Sequence, residues 1–454
     1  MVVMAMERGP GAALKAKFPW VVGAVSLGTL LEWYGFYLYS GLAGVLTVQF
    51  FPSGWEHGVV YSIGIFWTGF AIRPVGAVVF GYIGDTIGRK FALTLAMMTM
   101  GGASFVMGCL PGFAGLGWAA PLLLVLCRLA QGMAMGGGYG GAVTYIGEHA
   151  PDGQRGRYTS WLQTTATLGI VLALLIILGC RFGFGDAAFG NWAWRVPFWL
   201  SGILVGLSIY IRQTFEESPL FERLKQQGKA AANPVKESFS DLKNWKLIAL
   251  ALFGAAAPEG VVWYTGQFYA MHYLTTVLKV PYLTVQVLMI VVLTCAAPLF
   301  VVFGALSDRI GRRNIMTLGF LLAAISYWPV FSWMAVVKGS PFLLGILVFY
   351  LVILVALVYG PVAAFLVELF PARIRYTSMS LPYHIGNGVF GGLVPLAAVW
   401  AATAFGGPLY GLLYPIGIAA IGVAVSIAWL PGRSDTVRLW DEVGGTPPRV
   451  PDQP

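Results

Sequence analysis

Four ionisable residues of this 454-residue chain stand inside long apolar stretches: Glu32, Arg73, Arg128 and Glu259. An ionisable group at bilayer depth costs roughly 3 kcal/mol or more and is by default a candidate functional site. A guanidinium presents a bidentate fork matched to a carboxylate. A partly desolvated Glu beside an Arg holds its charge while the pair lasts and tends to take up a proton when an anion claims the Arg. With a helical rise of about 1.5 Å per residue, Glu32 lies roughly 20 Å from the inner end of its stretch, and Arg128 and Glu259 lie about 18 Å from theirs. The three share one depth near the midplane. Arg73 is only about 8 Å from the inner end of its stretch and is expected to snorkel there, in a gate.

The elements that must position these charges follow from composition. The chain is 58% apolar and 10% charged, against about 25% charged in a soluble globular protein. The 59 Gly and 26 Pro are dispersed among Leu, Val, Ile, Ala and Phe runs, which excludes disorder away from the ends. Twelve stretches are long enough to cross the roughly 30 Å hydrocarbon layer as helices. Their limits are 20–48, 59–83, 92–110, 120–147, 159–181, 194–212, 247–275, 283–306, 314–336, 341–368, 377–402 and 409–430. They are continuously apolar instead of alternating, which excludes barrel strands. Of the 28 Lys and Arg, only Arg181, Arg195, Lys279 and Lys338 fall outside when both termini are cytoplasmic, with Arg73 and Arg128 inside spans. The net charge of +9 therefore reflects topology and forms no nucleic-acid face. The first apolar run is too long for a signal peptide and is read as a retained span.

The chain repeats itself. GYIGDTIGRK at residues 81–90 recurs as GALSDRIGRR at 304–313, an offset of 223. Glu148 and Pro151 recur as Glu368 and Pro371 at an offset of 220, and Arg155, Arg157 and Tyr158 match Arg373, Arg375 and Tyr376 at 218. Two matches at nearly one spacing indicate duplication of a six-span unit. The longest polar interruption, 213–246, divides the spans six and six. The domains expected are an N-terminal segment 1–19, bundles 20–212 and 247–430 joined by that linker, and a tail 431–454.

The six-plus-six plan and the repeated loop resemble the major facilitator superfamily. Residues 31–34 (LEWY), 73–76 (RPVG), 128–132 (RLAQG), 140–142 (GGA), 155–161 (RGRYTSW) and 217–221 (ESPLF) narrow the resemblance to its metabolite:H⁺ symporter family, which includes carriers of proline and betaine, shikimate, α-ketoglutarate and citrate. The resemblance implies an all-α fold of twelve transmembrane helices in two halves, with the first, fourth and seventh spans lining a central water-filled cavity. Glu32, Arg128 and Glu259 would then meet in one substrate and proton-coupling site. Tyr34, Tyr37, Tyr139, Trp161, Gln163, Trp263, Tyr264 and Gln267 lie at similar depth and are candidate pocket residues. A cytoplasmic gate is expected from Arg73, Gly81, Asp85, Arg89, Glu148, Asp308, Arg312 and Glu368, in which Arg89 pairs with Glu148 and Arg312 with Glu368. The chain departs from the family at Gly35, where an Asp is usual, and at Gly138, where a Glu is usual. Proton symport is thus not inherited position by position. Glu32 and Glu259 are the candidates to replace those acids, and a uniporter, exchanger or exporter is the alternative.

Other chemistry finds no support in the sequence. Residues 136–141 (GGGYGG) match a dinucleotide pattern but lie inside a span and follow no strand, so Gly132, Gly136 and Gly140 are read as a close-packing stripe. The four cysteines, Cys109, Cys127, Cys180 and Cys295, lack metal spacing. His384, about seven residues into the eleventh stretch, is read as a satisfied packing histidine, with a proton relay as the alternative. No Walker loop, zincin or nucleophile-elbow pattern occurs. A secondary carrier of a small organic acid, working by proton symport in the inner membrane as a monomer without cofactor, is the expectation. A proton-independent carrier of an organic anion or zwitterion, or a transport-dead sensor, are the other readings.

Overall fold

The structure, a computed structural model, describes the backbone of residues 10–52, 58–212 and 217–431. It is helical throughout, with no strand among the described residues. Among the described residues, ten helices are long and apolar enough to cross a membrane. The second crossing is a pair, Gly58–Ala71 and Arg73–Thr86, and the sixth is the 17-residue Val196–Arg212. In chain order the others are Pro10–Phe50, Arg89–Cys109, Ala119–His149, Arg155–Phe184, Leu242–Val277, Tyr282–Ile310, Arg312–Val336, Pro341–Leu369, Ala372–Ala404 and Pro408–Trp429. Two short linker helices, Pro219–Gln226 and Pro234–Ser240, lie between the halves of the chain.

Three spans are irregular, each near a proline. The second, expected to be continuous, breaks at Ile72, because Pro74 has no N–H to bond the Phe70 carbonyl and its ring crowds that turn. In the seventh, Pro258 leaves the Gly254 carbonyl without its helical donor, and the Ser426 hydroxyl of the twelfth span donates to it at 3.2 Å. Wide π-turns flank this point at Leu252–Ala256 and Thr265–Tyr269, and another occupies His384–Gly391 in the eleventh span, just after Pro382. Such irregular backbone at membrane depth is tolerated where protein surrounds it, and π-turns cluster at functional sites.

Close packing holds the halves. The glycine stripe of the fourth span lies against the second: a side chain on Gly132 would strike the Gly69 carbonyl, and one on Gly136 the Arg73 carbonyl. The fifth span packs along the eighth and the second along the eleventh, which join the two bundles. Large apolar side chains such as Leu126, Val291, Ile325, Trp333, Phe342 and Trp400 are exposed around the outside, as a lipid-facing surface requires. Trp161 lies on that surface, 50% exposed, and so does not line the expected pocket.

Candidate substrate site and charged latch

The break in the second span makes Arg73 the first residue of its lower helix, pointed into the centre of the molecule. Its guanidinium carbon lies 4.3 Å from the Phe70 ring, 4.4 Å from Phe36 and 5.5 Å from Trp33. The Tyr264 hydroxyl is close by. Its three side-chain nitrogens have no hydrogen-bond partner of good geometry, and no acid pairs with it among the described residues. In the other half Glu259 is fully buried, and its two oxygens accept long hydrogen bonds from the Asn387 amide at 3.4 and 3.5 Å. Tyr37, Tyr264 and Tyr359 each lie within electrostatic reach of both charges.

Aromatic rings fill the space between. Trp33 stacks on Tyr37 at 5.2 Å, Tyr37 on Trp263 at 6.2 Å, and Tyr264 on Phe268 at 5.6 Å. Gln163 donates to the Tyr139 hydroxyl at 3.0 Å and the Tyr359 carbonyl at 2.9 Å. Tyr139 stacks on Tyr383 at 3.7 Å, and the Tyr383 and Tyr359 hydroxyls are 3.0 Å apart. Thr167 of the fifth span donates to Gln267 of the seventh at 3.3 Å. Arg73, Glu259 and the residues that bridge them expose 2% or less. The expected wet chamber is closed here, its volume taken by side chains from both halves.

Three expectations are corrected. Arg128 does not meet Glu32 or Glu259: it donates to the Gln131 side chain at 2.7 Å and the Phe36 carbonyl at 3.3 Å, under the rings of Phe36 and Tyr39. Glu32 instead lies against Gly138, its carboxylate 2.6 Å from where a β-carbon there would sit. Those positions are ten residues apart on one helix, a rise of about 15 Å. The equal-depth argument fails because the fourth helix runs on to His149, which leaves Arg128 in its first third. Arg73 is no surface gate residue, since the Pro74 break turns it inward. Tyr34 is not in the pocket either: Trp33 and Tyr37 share the central face, whereas Tyr34 points to the sixth span and donates to the Pro197 carbonyl at 2.7 Å.

The gate residues do come together, at the end of the molecule where the repeated loops lie. Asp85 pairs with Arg89 at 2.8 Å and accepts from the Thr377 backbone at 2.9 Å and its hydroxyl at 2.7 Å. Glu148 lies 3.6 Å from Arg89 and 3.1 Å from Arg375. In the mirrored half Asp308 pairs with Arg312 at 2.6 Å and accepts from the backbones of Gly156 and Arg157 at 2.9 and 2.8 Å. Glu368 pairs with Arg312 at 3.0 Å and lies 3.7 Å from Arg155. Each Asp therefore caps a helix start of the opposite half, where a negative charge suits the helix dipole. Each Glu is shared with an Arg across the halves, Arg375 or Arg155, which the sequence reading left outside the gate. Arg155 corresponds to Arg375, an offset of 220, and not to Arg373. Gly81 is small because a side chain there would meet Thr377, its β-carbon 2.8 Å from that Cα.

The linker adds to this latch. Glu217 accepts from the backbones of Arg89 and Lys90 at 3.0 and 3.2 Å, the Ser218 hydroxyl donates to Glu148, and the Phe221 ring lies 4.6 Å from Arg89. Burial pushes the Glu217 carboxyl above its ordinary range, opposed by these hydrogen bonds and by Arg89.

A family model described as sugar (and other) transporter matches residues 20–254 and 228–431. The chain belongs to the sugar (and other) transporter family of the major facilitator superfamily. The inner membrane metabolite transport protein YhjE of Escherichia coli K12 is 33% identical over 396 residues, 85% of this transporter and 88% of the relative. The alpha-ketoglutarate permease of the same organism is 33% identical over 384 residues, 84% and 86% of the two chains. A solved structure of the proton:xylose symporter XylE bound to 6-bromo-6-deoxy-D-glucose shares the fold, with a TM-score of 0.73 at 17% identity over 95% of this transporter and 99% of that chain. This transporter is a multi-pass protein of the inner membrane.

In this transporter, Glu148→Gln is expected to cost the latched state about 3–5 kcal/mol, because Arg375 loses the buried carboxylate it pairs with and Arg89 is left with Asp85 alone. A lowered melting temperature of the purified protein, with Glu148→Asp intermediate, is the outcome to look for. Melting at the wild-type temperature would mean that the shared pairs do not hold the latch.

Proposed function

We propose that this transporter carries a small organic acid across the inner membrane by proton symport, with alternating access between bundles 20–212 and 247–430. The observation that carries the reading is Arg73: a fully buried guanidinium with no acid partner among the described residues, set against rings of the first half and near Tyr264 of the second. A desolvated cation without a counter-ion is costly, so an anionic cargo supplies what the empty site lacks. The fork of Arg73 takes the carboxylate, Glu259 takes the cotransported proton, and Tyr37, Tyr264 and Tyr359 lie between them. A monocarboxylate and one proton together carry no net charge, which avoids about 2.3 kcal/mol per charge per 100 mV. The ion pairs at the repeated loops form the cytoplasmic gate, shut here, with both termini on that side. Arg128 braces the first, third and fourth spans, and Glu32 stays within the first bundle.

The alpha-ketoglutarate permease relative makes α-ketoglutarate the first cargo to test. Purified protein in liposomes is expected to accumulate labelled α-ketoglutarate when the outside is acidic, up to about tenfold per pH unit for each proton moved. An extent of uptake that does not change with the imposed pH gradient would leave a uniporter or exchanger. The wall of Trp33, Tyr37, Trp263 and Tyr264 favours a second reading, a zwitterion whose cationic end lies on the rings. Competition by glycine betaine but not by succinate would select it.

A further inference from the structure

His384 does not behave as a packing histidine. It is 1% exposed in the π-turn of the eleventh span, and neither ring nitrogen has a hydrogen-bond partner of good geometry. The Gly136 backbone lies near it without the alignment of a hydrogen bond. A neutral imidazole in a dry site normally finds an acceptor for its N–H and a donor for its bare nitrogen. This one has neither, and its neighbours are the charged parts of the central site.

Each element packed against His384 presents a group that matters. From the second span Arg73 lies within electrostatic reach, and a β-carbon on Gly388, one turn on from His384, would lie 3.5 Å from the Arg73 Cδ. From the fourth span Tyr139 meets the imidazole edge-on at 6.1 Å, and Tyr383 of its own span does so at 5.0 Å. From the seventh span Glu259 is tied to the same π-turn through Asn387. With the site empty, Arg73 is already a cation in that pocket, and a second would stand beside it uncompensated. A dianion alters this: one carboxylate satisfies Arg73, and the second leaves a negative charge next to the imidazole.

Resting on the carrier reading above, we propose that His384 is a second proton site, so that the transporter takes a dicarboxylate with two protons, one on Glu259 and one on the His384 imidazole. The step balances: the dianion brings two negative charges, Glu259 goes from carboxylate to carboxylic acid, and the imidazole becomes imidazolium. Both protons come from the water on the entry side and leave on the other side with the cargo. The loaded and empty sites then carry the same charge, and the membrane potential does not oppose the crossing.

The test is the proton to α-ketoglutarate flux ratio of the full-length protein in sealed liposomes, with the membrane potential clamped at zero and the pH gradient varied until net flux stops. The wild type is expected to give a ratio of two, and so about hundredfold accumulation per pH unit. His384→Gln is expected to give a ratio of one and about tenfold. The ratio does not depend on how much protein folds, and a purely structural role for His384 would not move it. ¹⁵N-histidine spectra of the wild type give an independent readout, with the ring becoming imidazolium on addition of α-ketoglutarate. A wild-type ratio of one, a ratio of two retained by His384→Gln, or a ring that stays neutral with ligand bound would overturn the second site and leave the carrier reading standing. If the wild type moves no α-ketoglutarate, both fall together.

Discussion

Arg73→Met is expected to weaken α-ketoglutarate binding by about 100- to 1,000-fold and, in the same protein, to raise the melting temperature of the empty transporter. The two effects have one cause. Truncating one side of a buried charge pair costs about 2–5 kcal/mol of binding, and the cargo carboxylate is the only anion the proposal gives Arg73. Without cargo the same guanidinium is desolvated and unopposed. Three aromatic rings offset part of that cost, while the effective penalty of burying an ion is several kcal/mol. Methionine retains the contact with Phe36, Phe70 and Trp33 and removes the charge. Arg128→Met separates the roles, because it strands the Gln131 side chain and the Phe36 carbonyl that Arg128 now bonds and should therefore melt earlier. Equilibrium binding of labelled α-ketoglutarate and thermal melting of both variants decide the matter. Binding lost in Arg128→Met and intact in Arg73→Met would return the anion site to the fourth span.

How far these assignments were legible in the sequence depended on whether the signal was periodic or local. The spans, the six-plus-six division and the paired acidic and basic loops all repeat, and the helices and the Arg89–Glu148 and Arg312–Glu368 contacts lie where the pattern put them. The central site was harder because depth along a helix is not direction around it. Glu32, Trp33 and Tyr34 are consecutive, yet Trp33 faces the centre, Glu32 the fourth span and Tyr34 the sixth, at roughly 100° per residue. The Pro74 break, visible as an X-Pro in mid-span, was the signal that Arg73 starts a new helix and does not snorkel. Asn387 was also findable, as an amide between Gly386 and Gly388 inside a span. The roles of Tyr359 and Tyr383 were not, since aromatic residues are common in every span and only their contacts with Gln163 and Tyr139 of the other half distinguish these two.

Glu259→Gln is expected to remove one of the protons that drive uptake, lowering α-ketoglutarate accumulation about tenfold per pH unit of gradient. Glutamine mimics the protonated acid, and its carbonyl accepts from Asn387 as the carboxylate does, so the fold tolerates it. Local structure supports this mobility of charge: Pro258 interrupts the helical bonding just before Glu259, and the bare Gly260 after it lets the eleventh span approach, with a β-carbon there only 2.6 Å from the Asn387 Cα. The carboxylate thus sits where the two π-turned spans touch, and rocking of the halves changes its surroundings more than those of a residue in mid-helix. Combined with His384→Gln, the change should leave a protein that moves α-ketoglutarate only down its own gradient, with accumulation falling from about hundredfold to about tenfold to none across wild type, either single variant and the double. Full pH-driven accumulation by the Glu259→Gln protein would place the proton elsewhere, and Glu32, buried and outside the latch, is then the next carboxylate to test.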